Sequence, residues 1–423
     1  MLMRDAPKLR VRMKKVAVVG AGPSGLVVLK YCIANGFECD VYEQRGFLGG
    51  TWYSDKSGED EEDNLIYTTL YKGVMTNIPK EIMMYPDYPY PSEETRSYLG
   101  AVEVFDYFKG YADTFNLHPH IKYRRCVLNI ATNVNDTWSV TVKNLTTKIV
   151  DTVVYDYVFV CSGHLWHPIV PQFPGRYTFK GTQVHSFKYY EPSAYKNRRV
   201  LVVGARSSAR DIVHYISLVA DHVFVSYEGL CLVTFGEKVS SMPLVEEFRE
   251  HSVVFEDGTE EVVDDIVYCT GYDYSYPFLS RDCGITIEDK HVNPLYLHMV
   301  NIDHPTMFFI GIPFIVCAIP MFDLQVRFCI EAMKQSFKLP SKRLMLEDLH
   351  DEIREKEKLN VPRRHIHRMG EFQEQYWAKV AQIASIKPLP PVLCRIYEES
   401  RKQRLLDKCY RIIDDENFEI YYP

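Results

Sequence analysis

The chain has 423 residues, 46% of them hydrophobic and 25% charged, with a net charge of −7 and a pI near 6.1. That length and balance suit two or three domains with sizeable cores, and the acidic balance excludes the basic footprint of a nucleic-acid binder. The 11 cysteines are scattered singly, without a C-x-x-C pair or a Cys/His grouping at metal spacing, so neither a redox dithiol nor a metal centre is predicted.

The basic segment Arg4 to Lys15 reads as a solvated leader, and no apolar stretch of signal-peptide type follows it, so a cytoplasmic or otherwise soluble protein is expected. KKVAVVG, Lys14 to Gly20, is an apolar run ending in glycine, and PSGLVVLKYCIANG carries apolar residues at helical spacing up to Gly36. FECDVYEQ reads as a second strand, completing the strand, turn, helix and strand of a parallel dinucleotide-binding unit. Within VVGAGPSG, Gly20 allows the tight turn, Gly22 lets backbone approach a pyrophosphate, and Gly25 lets helix pack against strand. Glu43, 23 residues past Gly20, stands where an acid accepts ribose hydroxyls. In RGFLGGTWY, Gly49 and Gly50 leave room for backbone beside a large ligand, and Trp52 offers an aromatic face.

SVTVKNLTTKIVDTVVYDYVFVCSG predicts short strands closing in a loop at Gly163. RRVLVVG, Arg198 to Gly204, restarts the same grammar 184 residues after the first glycine, with helix SARDIVHYISLVA and strand HVFVSYE. HSVVFEDGTEEVVDDIVYCTG then repeats the meander, with Asp257-Gly258 as its hairpin turn. The second phosphate turn, VVGARSSARD, keeps Gly204 and places Ala209 where helix meets strand, but puts Arg206 at the close-approach position. A side chain there crowds a pyrophosphate unless it points outward, while Ser207, Ser208 and the helix N-terminus remain as donors. The guanidinium groups of Arg206 and Arg210 suit the 2′-phosphate of NADPH, against two alternatives: Arg210 pairing with Asp211, and Arg206 lying in solvent. Glu228, 24 residues past Gly204, takes the phase of Glu43, where an acid repels that phosphate and accepts ribose hydroxyls, as in NADH sites.

The most membrane-like run, Met307 to Phe322, is interrupted by Pro313 and Pro320 and closed by Asp323, so a buried strand and loop are expected in place of a span. PMFDLQVRF opens a helix at Pro320 and Asp323, with Arg327 as a surface residue. The tail from Ser341 to Pro423 is charge-rich and helical in pattern, without identifiable chemistry.

Five ordered motifs, VVGAGPSG, EQRGFLGGTW, CSGHLWHPIVPQFPG, FKGTQVHSFKYY and YCTGYDYSYPF, together resemble the signatures of the flavin-containing monooxygenases over about Lys14 to Gln325. The compact length and the TNIPKEIM stretch resemble the insect branch that includes pyrrolizidine alkaloid (senecionine) N-oxygenases. The resemblance implies an α/β fold of two Rossmann-type dinucleotide-binding domains, for FAD and NADPH, the second inserted in the first. Residues 14–172 and 284–423 would form the FAD domain, the latter with C-terminal helices, and 173–283 the NADPH domain. Implied contacts on the flavin side are Gly20, Gly22, Pro23, Ser24, Gly25, Glu43, Gln44, Gly50, Thr51, Trp52, Leu70, Asn77 and Val127. On the nicotinamide side they are Gly204, Arg206, Ser207, Ser208, Arg210, Thr270 and Gly271. The resemblance also implies that Asp323 belongs to a helix whose N-terminus faces the flavin and that Gln325 lies near both cofactors. Asn77 matches the active-site asparagine whose neutral amide helps hold the oxygenated flavin; its bland alternative is a turn residue before Ile78-Pro79.

In this family NADPH gives hydride to FAD, dioxygen adds at flavin C4a, and the hydroperoxide oxidises a soft nucleophile. The implied substrates are tertiary amines such as pyrrolizidine alkaloids, or sulfides, with NADH as a possible second nucleotide and a homo-oligomer as a possible assembly. The motif Phe179, Gly181, His185, Tyr189 has tyrosine where Baeyer-Villiger monooxygenases usually have tryptophan, favouring N- or S-oxygenation; His185 itself reads as a linker residue or a proton carrier. The alternatives are an NAD(P)H oxidase-type flavoprotein, a Baeyer-Villiger enzyme and a non-catalytic flavin-binding interaction protein.

Overall fold

The computed structural model describes residues 12–53, 69–402 and 404–422, so most of the Arg4 to Lys15 segment lies outside the described residues. Two sheets, each with a parallel core, repeat one plan. In the first, β1 (Lys15–Val19) pairs in parallel with β2 (Glu38–Tyr42) on one side and β7 (Tyr157–Val160) on the other. Four of the five β1 residues are buried, as a strand covered on both faces requires. β3 (Ile121–Lys122) extends one edge; β22 (Met307–Phe309) extends the other in parallel, followed by antiparallel β21 (Val300–Asn301) and β20 (Leu295–Tyr296). The chain therefore leaves this sheet, builds another, and returns.

The second sheet has the order β12 (Val239–Met242), β11 (His222–Ser226), β10 (Arg199–Val203), β16 (Asp265–Tyr268), β9 (Thr182–His185), parallel throughout. The fold is thus α/β with two Rossmann-type units, the second inserted in the first. Antiparallel meanders flank them as expected: β4 (Arg125–Thr132), β5 (Trp138–Asn144) and β6 (Val150–Tyr155) by the first unit; β13 (Val245–Phe248), β14 (Ser252–Phe255) and β15 (Glu260–Val262) by the second. Asp257 Oδ1 accepts the Thr259 N–H at 2.9 Å and Gly258 has φ +81°, the predicted hairpin turn. Two short ladders lie apart from these sheets, β8 (His167–Pro168) with β17 (Tyr272–Asp273) and β18 (Thr286–Glu288) with β19 (His291–Asn293).

The two phosphate turns obey the same constraints. Gly20 N–H donates to Tyr42 O at 2.9 Å and Gly204 N–H to Ser226 O at 2.7 Å. Their φ angles are +105° and +104°, and a Cβ would lie 2.6 Å from Cys161 O in one and 2.5 Å from Cys269 O in the other. Both turns therefore need glycine, for the same two reasons. Each then enters a helix, α1 (Pro23–Ala34) or, beyond α2 (Ala101–Thr114), α3 (Ser207–Ser217).

The Met307 to Phe322 run resolves into β22, a loop and the start of α4 (Ala318–Met333), which packs on α1. The helix begins two residues before Pro320, whose missing N–H is harmless in the first turn; this corrects the expected start. Among the described residues no helix is long and apolar enough to cross a membrane. The tail forms α5 (Lys342–Lys358), α6 (Gln373–Ala384) and α7 (Val392–Lys402), but its end is not helical. Cys409–Ile412 (β23) and Phe418–Tyr421 (β24) make a hairpin, fastened by Tyr410 N–H to Ser97 Oγ at 2.9 Å and Tyr421 Oη to Thr95 O at 3.0 Å.

Candidate cofactor and active site

At the carboxyl edge of the first sheet, α1 starts at Gly22 without a side-chain cap, so the first-turn amides of Ser24 and Gly25 face outward as anion donors. Gly25 can pack this closely only as glycine: a Cβ there would lie 1.9 Å from Gly20 O. Gly22 is different, since its φ of −76° suits any residue and a Cβ would have its nearest neighbour, Gly50 Cα, at 3.5 Å. What glycine gives here is open approach. The RGFLGGTW loop docks on this turn through Gly49 N–H to Ala21 O at 2.9 Å, so the two glycine motifs form one cradle, with Trp52 half-buried at its side.

Glu43 ties the cradle together. It is 6% exposed; Oε2 accepts Ala21 N–H and Oε1 accepts Arg45 N–H, both at 2.9 Å, while Arg45 donates onward to Gly50 O at 2.9 Å. Burial pushes its pKa up against these bonds, and each oxygen keeps a further lone pair for a hydroxyl. Gln44 Oε1 meets Cys126 Sγ at 3.9 Å, Thr51 Oγ1 meets Thr69 Oγ1 at 3.1 Å, Pro23 O accepts Tyr85 Oη at 2.6 Å, and Leu70 and Val127 are buried. Ser24 Oγ reaches Cys161 O at 3.5 Å. Asn77 is exposed, in a bend just after Thr76, which is pinned to Leu99 by its N–H at 2.8 Å and by its Oγ1 at 3.1 Å.

The α4 N-terminus also lacks a side-chain cap. Asp323, 1% exposed, turns inward and accepts from Tyr31 Oη at 2.8 Å and Arg327 Nε at 2.7 Å. Arg327 is therefore not a surface residue: its side chain is 18% exposed and also donates to Lys387 O at 2.6 Å. Gln325 is fully buried with both amide atoms engaged: Oε1 accepts Gly311 N–H at 3.1 Å and Nε2 donates to Tyr376 Oη at 2.7 Å. It positions the Gly311 turn at the end of β22.

In the second turn Arg206 is the helix N-cap, with φ −94° and ψ −159°, exposed and unstrained. Its charge groups with those of Arg364, Arg368 and Lys290 around His365, whose pKa is pushed down by burial and then by these cations. Ser207 is exposed and Ser208 half-buried at the uncapped α3 N-terminus. Arg210 Nε pairs with Asp211 Oδ1 at 3.3 Å, the blander of its two readings, and Glu228 is exposed just past β11. Leu232 N–H binds Ala205 O at 2.8 Å, so the segment after Glu228 is fastened to the turn. Thr270 Oγ1 donates to Ile169 O, and Gly271 O accepts Ile169 N–H at 3.0 Å.

His185 has no nitrogen to spare. Nδ1 accepts Phe187 N–H at 3.1 Å, so Nε2 carries the proton and donates to Gly271 O at 3.1 Å, while burial lowers its pKa to about 4. It is a neutral clamp between β9 and the Thr270-Gly271 turn, the linker reading.

Beneath the site lies a buried chain of polar groups that local sequence patterns do not reveal. His367 Nε2 accepts Val292 N–H at 3.0 Å, so the proton shared by His367 Nδ1 and His298 Nδ1, 2.9 Å apart, belongs to His367. His298 then gives its Nε2–H to Glu352 Oε1 at 2.8 Å, which also pairs with Lys356 Nζ at 2.7 Å. The Tyr376 ring packs edge-on against His298 with centroids 5.6 Å apart, connecting this chain to Gln325.

The family model for flavin-binding monooxygenase-like proteins matches residues 13–235 and 230–399. The chain belongs to that family. As a flavin-containing monooxygenase it is an enzyme that oxygenates a small molecule with dioxygen. It is 32% identical to the Senecionine N-oxygenase of Tyria jacobaeae over 96% of this chain and 92% of that one. With Flavin-containing monooxygenase FMO GS-OX3 of Arabidopsis thaliana it shares 30% identity over 88% of this chain and 85% of the other. The solved S-allyl-L-cysteine S-oxygenase of Allium sativum superposes with a TM-score of 0.85 at 28% identity, covering 93% of both chains. For a flavin-binding monooxygenase, the uncapped α1 N-terminus, the open Gly22–Gly50 approach and the buried Glu43 carboxylate fit the phosphate and hydroxyl groups of a flavin cofactor.

Proposed function

We propose that this monooxygenase binds FAD on its first unit, 14–172 with 284–423, and NADPH on the inserted unit, 173–283, and N- or S-oxygenates soft nucleophiles, tertiary amines foremost. The observation that carries the nucleotide reading is the second phosphate turn, which repeats the first in its backbone and sets Arg206 as the N-cap of the helix that follows. Similarity to proteins named as a senecionine N-oxygenase and an S-allyl-L-cysteine S-oxygenase supports the reaction class.

When bound, the flavin supplies the oxygen-activating chemistry. The chain's own residues hold and shield it: Ser24 and Gly25 amides take the pyrophosphate, Glu43 the ribose hydroxyls, and the α4 N-terminus stabilises negative charge on the ring. Gln44, Thr51, Trp52, Leu70 and Val127 complete the flavin contacts. Ser207 and Ser208 take the second pyrophosphate, Arg206 is placed for the 2′-phosphate, and Thr270 and Gly271 shape the turn opposite. Asn77 offers a neutral amide, and His185, with both nitrogens occupied, moves no proton.

Two results test this reading. Asn77→Ala should leave NADPH-dependent flavin reduction within about twofold of wild type while most reducing equivalents emerge as peroxide, a loss of coupling of about tenfold. Full coupling to N-oxide formation from a tertiary-amine panel would remove Asn77 from the site. Arg206→Ala should raise the NADPH KM by about tenfold and the NADH KM by less than about threefold, as loss of one guanidinium–phosphate contact implies. Unchanged NADPH affinity would take Arg206 out, and an equal loss with both nucleotides would place it on the shared pyrophosphate. Glu228, exposed past β11, is the feature that favours NADH as a second nucleotide.

A further inference from the structure

The segment Tyr71 to Asn77 is fastened to the inserted unit at successive points. Tyr71 Oη donates to Asp211 Oδ2 at 2.8 Å, Lys72 N–H to Tyr190 O at 2.8 Å, and Tyr215 Oη to Gly73 O at 2.8 Å. Arg404, from the far end of the chain, closes the arrangement: Nη1 donates to Asp211 Oδ1 at 3.0 Å and Nη2 to Met75 O at 3.2 Å. Asp211 stands one helical turn after Ser207 at the α3 N-terminus, and Met75 stands two residues before Asn77. The Arg404 side chain is only 11% exposed, its Nε is buried without a hydrogen-bond partner among the described residues, and its guanidinium lies 5.9 Å from the Tyr98 ring centroid. A fork that keeps one prong on each side while leaving a buried N–H unpaired is held by its surroundings, since an unpaired buried donor is costly.

We propose that Arg404 is a positioning residue that links the nucleotide turn to Asn77: a nucleotide on Ser207 and Ser208 fixes the first turn of α3, and Asp211, through Arg404, holds the Met75 carbonyl and so sets the loop that presents Asn77. This rests on the nucleotide and Asn77 assignments above. The link has one feature that the ion pair alone does not supply. Lysine at 404 can still neutralise Asp211, but it has no second planar prong for Met75 O.

The test is amide hydrogen exchange on the flavin-loaded enzyme with and without NADP⁺, for wild type, Arg404→Lys and Arg404→Gln, with melting temperatures and peroxide yield measured alongside. In wild type, NADP⁺ should slow exchange in both α3 and residues 71–77 by about fivefold or more. In Arg404→Lys, α3 protection should persist while protection of 71–77 falls to less than about one-third of that, and peroxide yield should rise at least about threefold with flavin reduction unchanged. Protection of 71–77 that persists in both variants, or that is missing from wild type while α3 is protected, overturns the link and leaves the nucleotide assignment standing. Absence of α3 protection in wild type overturns that assignment, and the link with it. A merely structural Arg404 would lower the melting temperature and leave the NADP⁺-dependent difference intact, which also overturns the proposal.

Discussion

Gly25→Ala is expected to abolish folded protein, whereas Gly22→Ala, three residues earlier, is expected to leave the fold intact and strip the flavin. The alanine Cβ at 25 would stand 1.9 Å from Gly20 O and 3.0 Å from Gly20 C, both rigid backbone. Relief requires α1 to move off β1, whose residues Val16, Ala17 and Val18 are completely buried. Such a shift costs more than about 4 kcal/mol, a large share of the roughly 5–15 kcal/mol by which domains are stable. At 22 the same methyl has an ordinary neighbour at 3.5 Å and an allowed backbone, so the apo-protein tolerates it. It occupies only the open space that the proposed reading gives to the pyrophosphate. Thermal melts with flavin absorbance after desalting read both effects: a Gly22→Ala protein that retains full flavin would place the pyrophosphate elsewhere, and a Gly25→Ala protein of normal melting temperature would refute the close-packing account.

Lys356→Met should lower stability by about 3–5 kcal/mol, because it leaves the Glu352 carboxylate without its cation in a partly dry site. The Lys356 side chain is 6% exposed and that of Glu352 23%. Removing both charges while keeping an acceptor for His298 Nε2–H, Glu352→Gln with Lys356→Met, should recover most of the loss, the asymmetry expected of a buried pair. Stability should depend on pH through the same carboxylate. Burial alone raises the Glu352 pKa, but the His298 contact and Lys356 outweigh it and hold the carboxyl below its ordinary value of 4.5. A depressed folded-state pKa contributes stability that is complete above the ordinary value and is lost as pH falls below it. Melting temperature should therefore hold between neutrality and about pH 5 and then fall more steeply in wild type than in the double variant. Equal acid slopes would remove Glu352 from the account.

Much of the fold is legible in the sequence because Rossmann units are local. Strand, glycine turn and helix lie within about twenty residues, so periodicity and glycine spacing announce them, and Glu43 and the Asp257-Gly258 turn fall where spacing puts them. The failures have physical causes as well. The terminal segment reads as helical because its charges suit a helix surface, yet CYRI and FEIY pair as strands, and the turn between them closes on Asp414 Oδ1, which accepts the Glu416 and Asn417 N–H groups at 2.8 Å. Arg327 and Gln325 sit on a helix whose start the sequence announces, but their partners Lys387 and Tyr376 lie 60 and 51 residues away, beyond any local pattern. Arg404 and Asp211 are separated by 193 residues, and nothing in the neighbourhood of either announces the other.

The matched φ angles of Gly20 and Gly204 contrast with the freedom two residues further on. Positions 22 and 206 both sit in extended backbone open to all side chains, so the bend is fixed by one glycine while the next variable position carries no folding constraint. Single-base changes at codon 206 can therefore be explored by drift or by mutagenesis without loss of folded protein. Whatever contact residue 206 makes can change independently of the architecture that presents it.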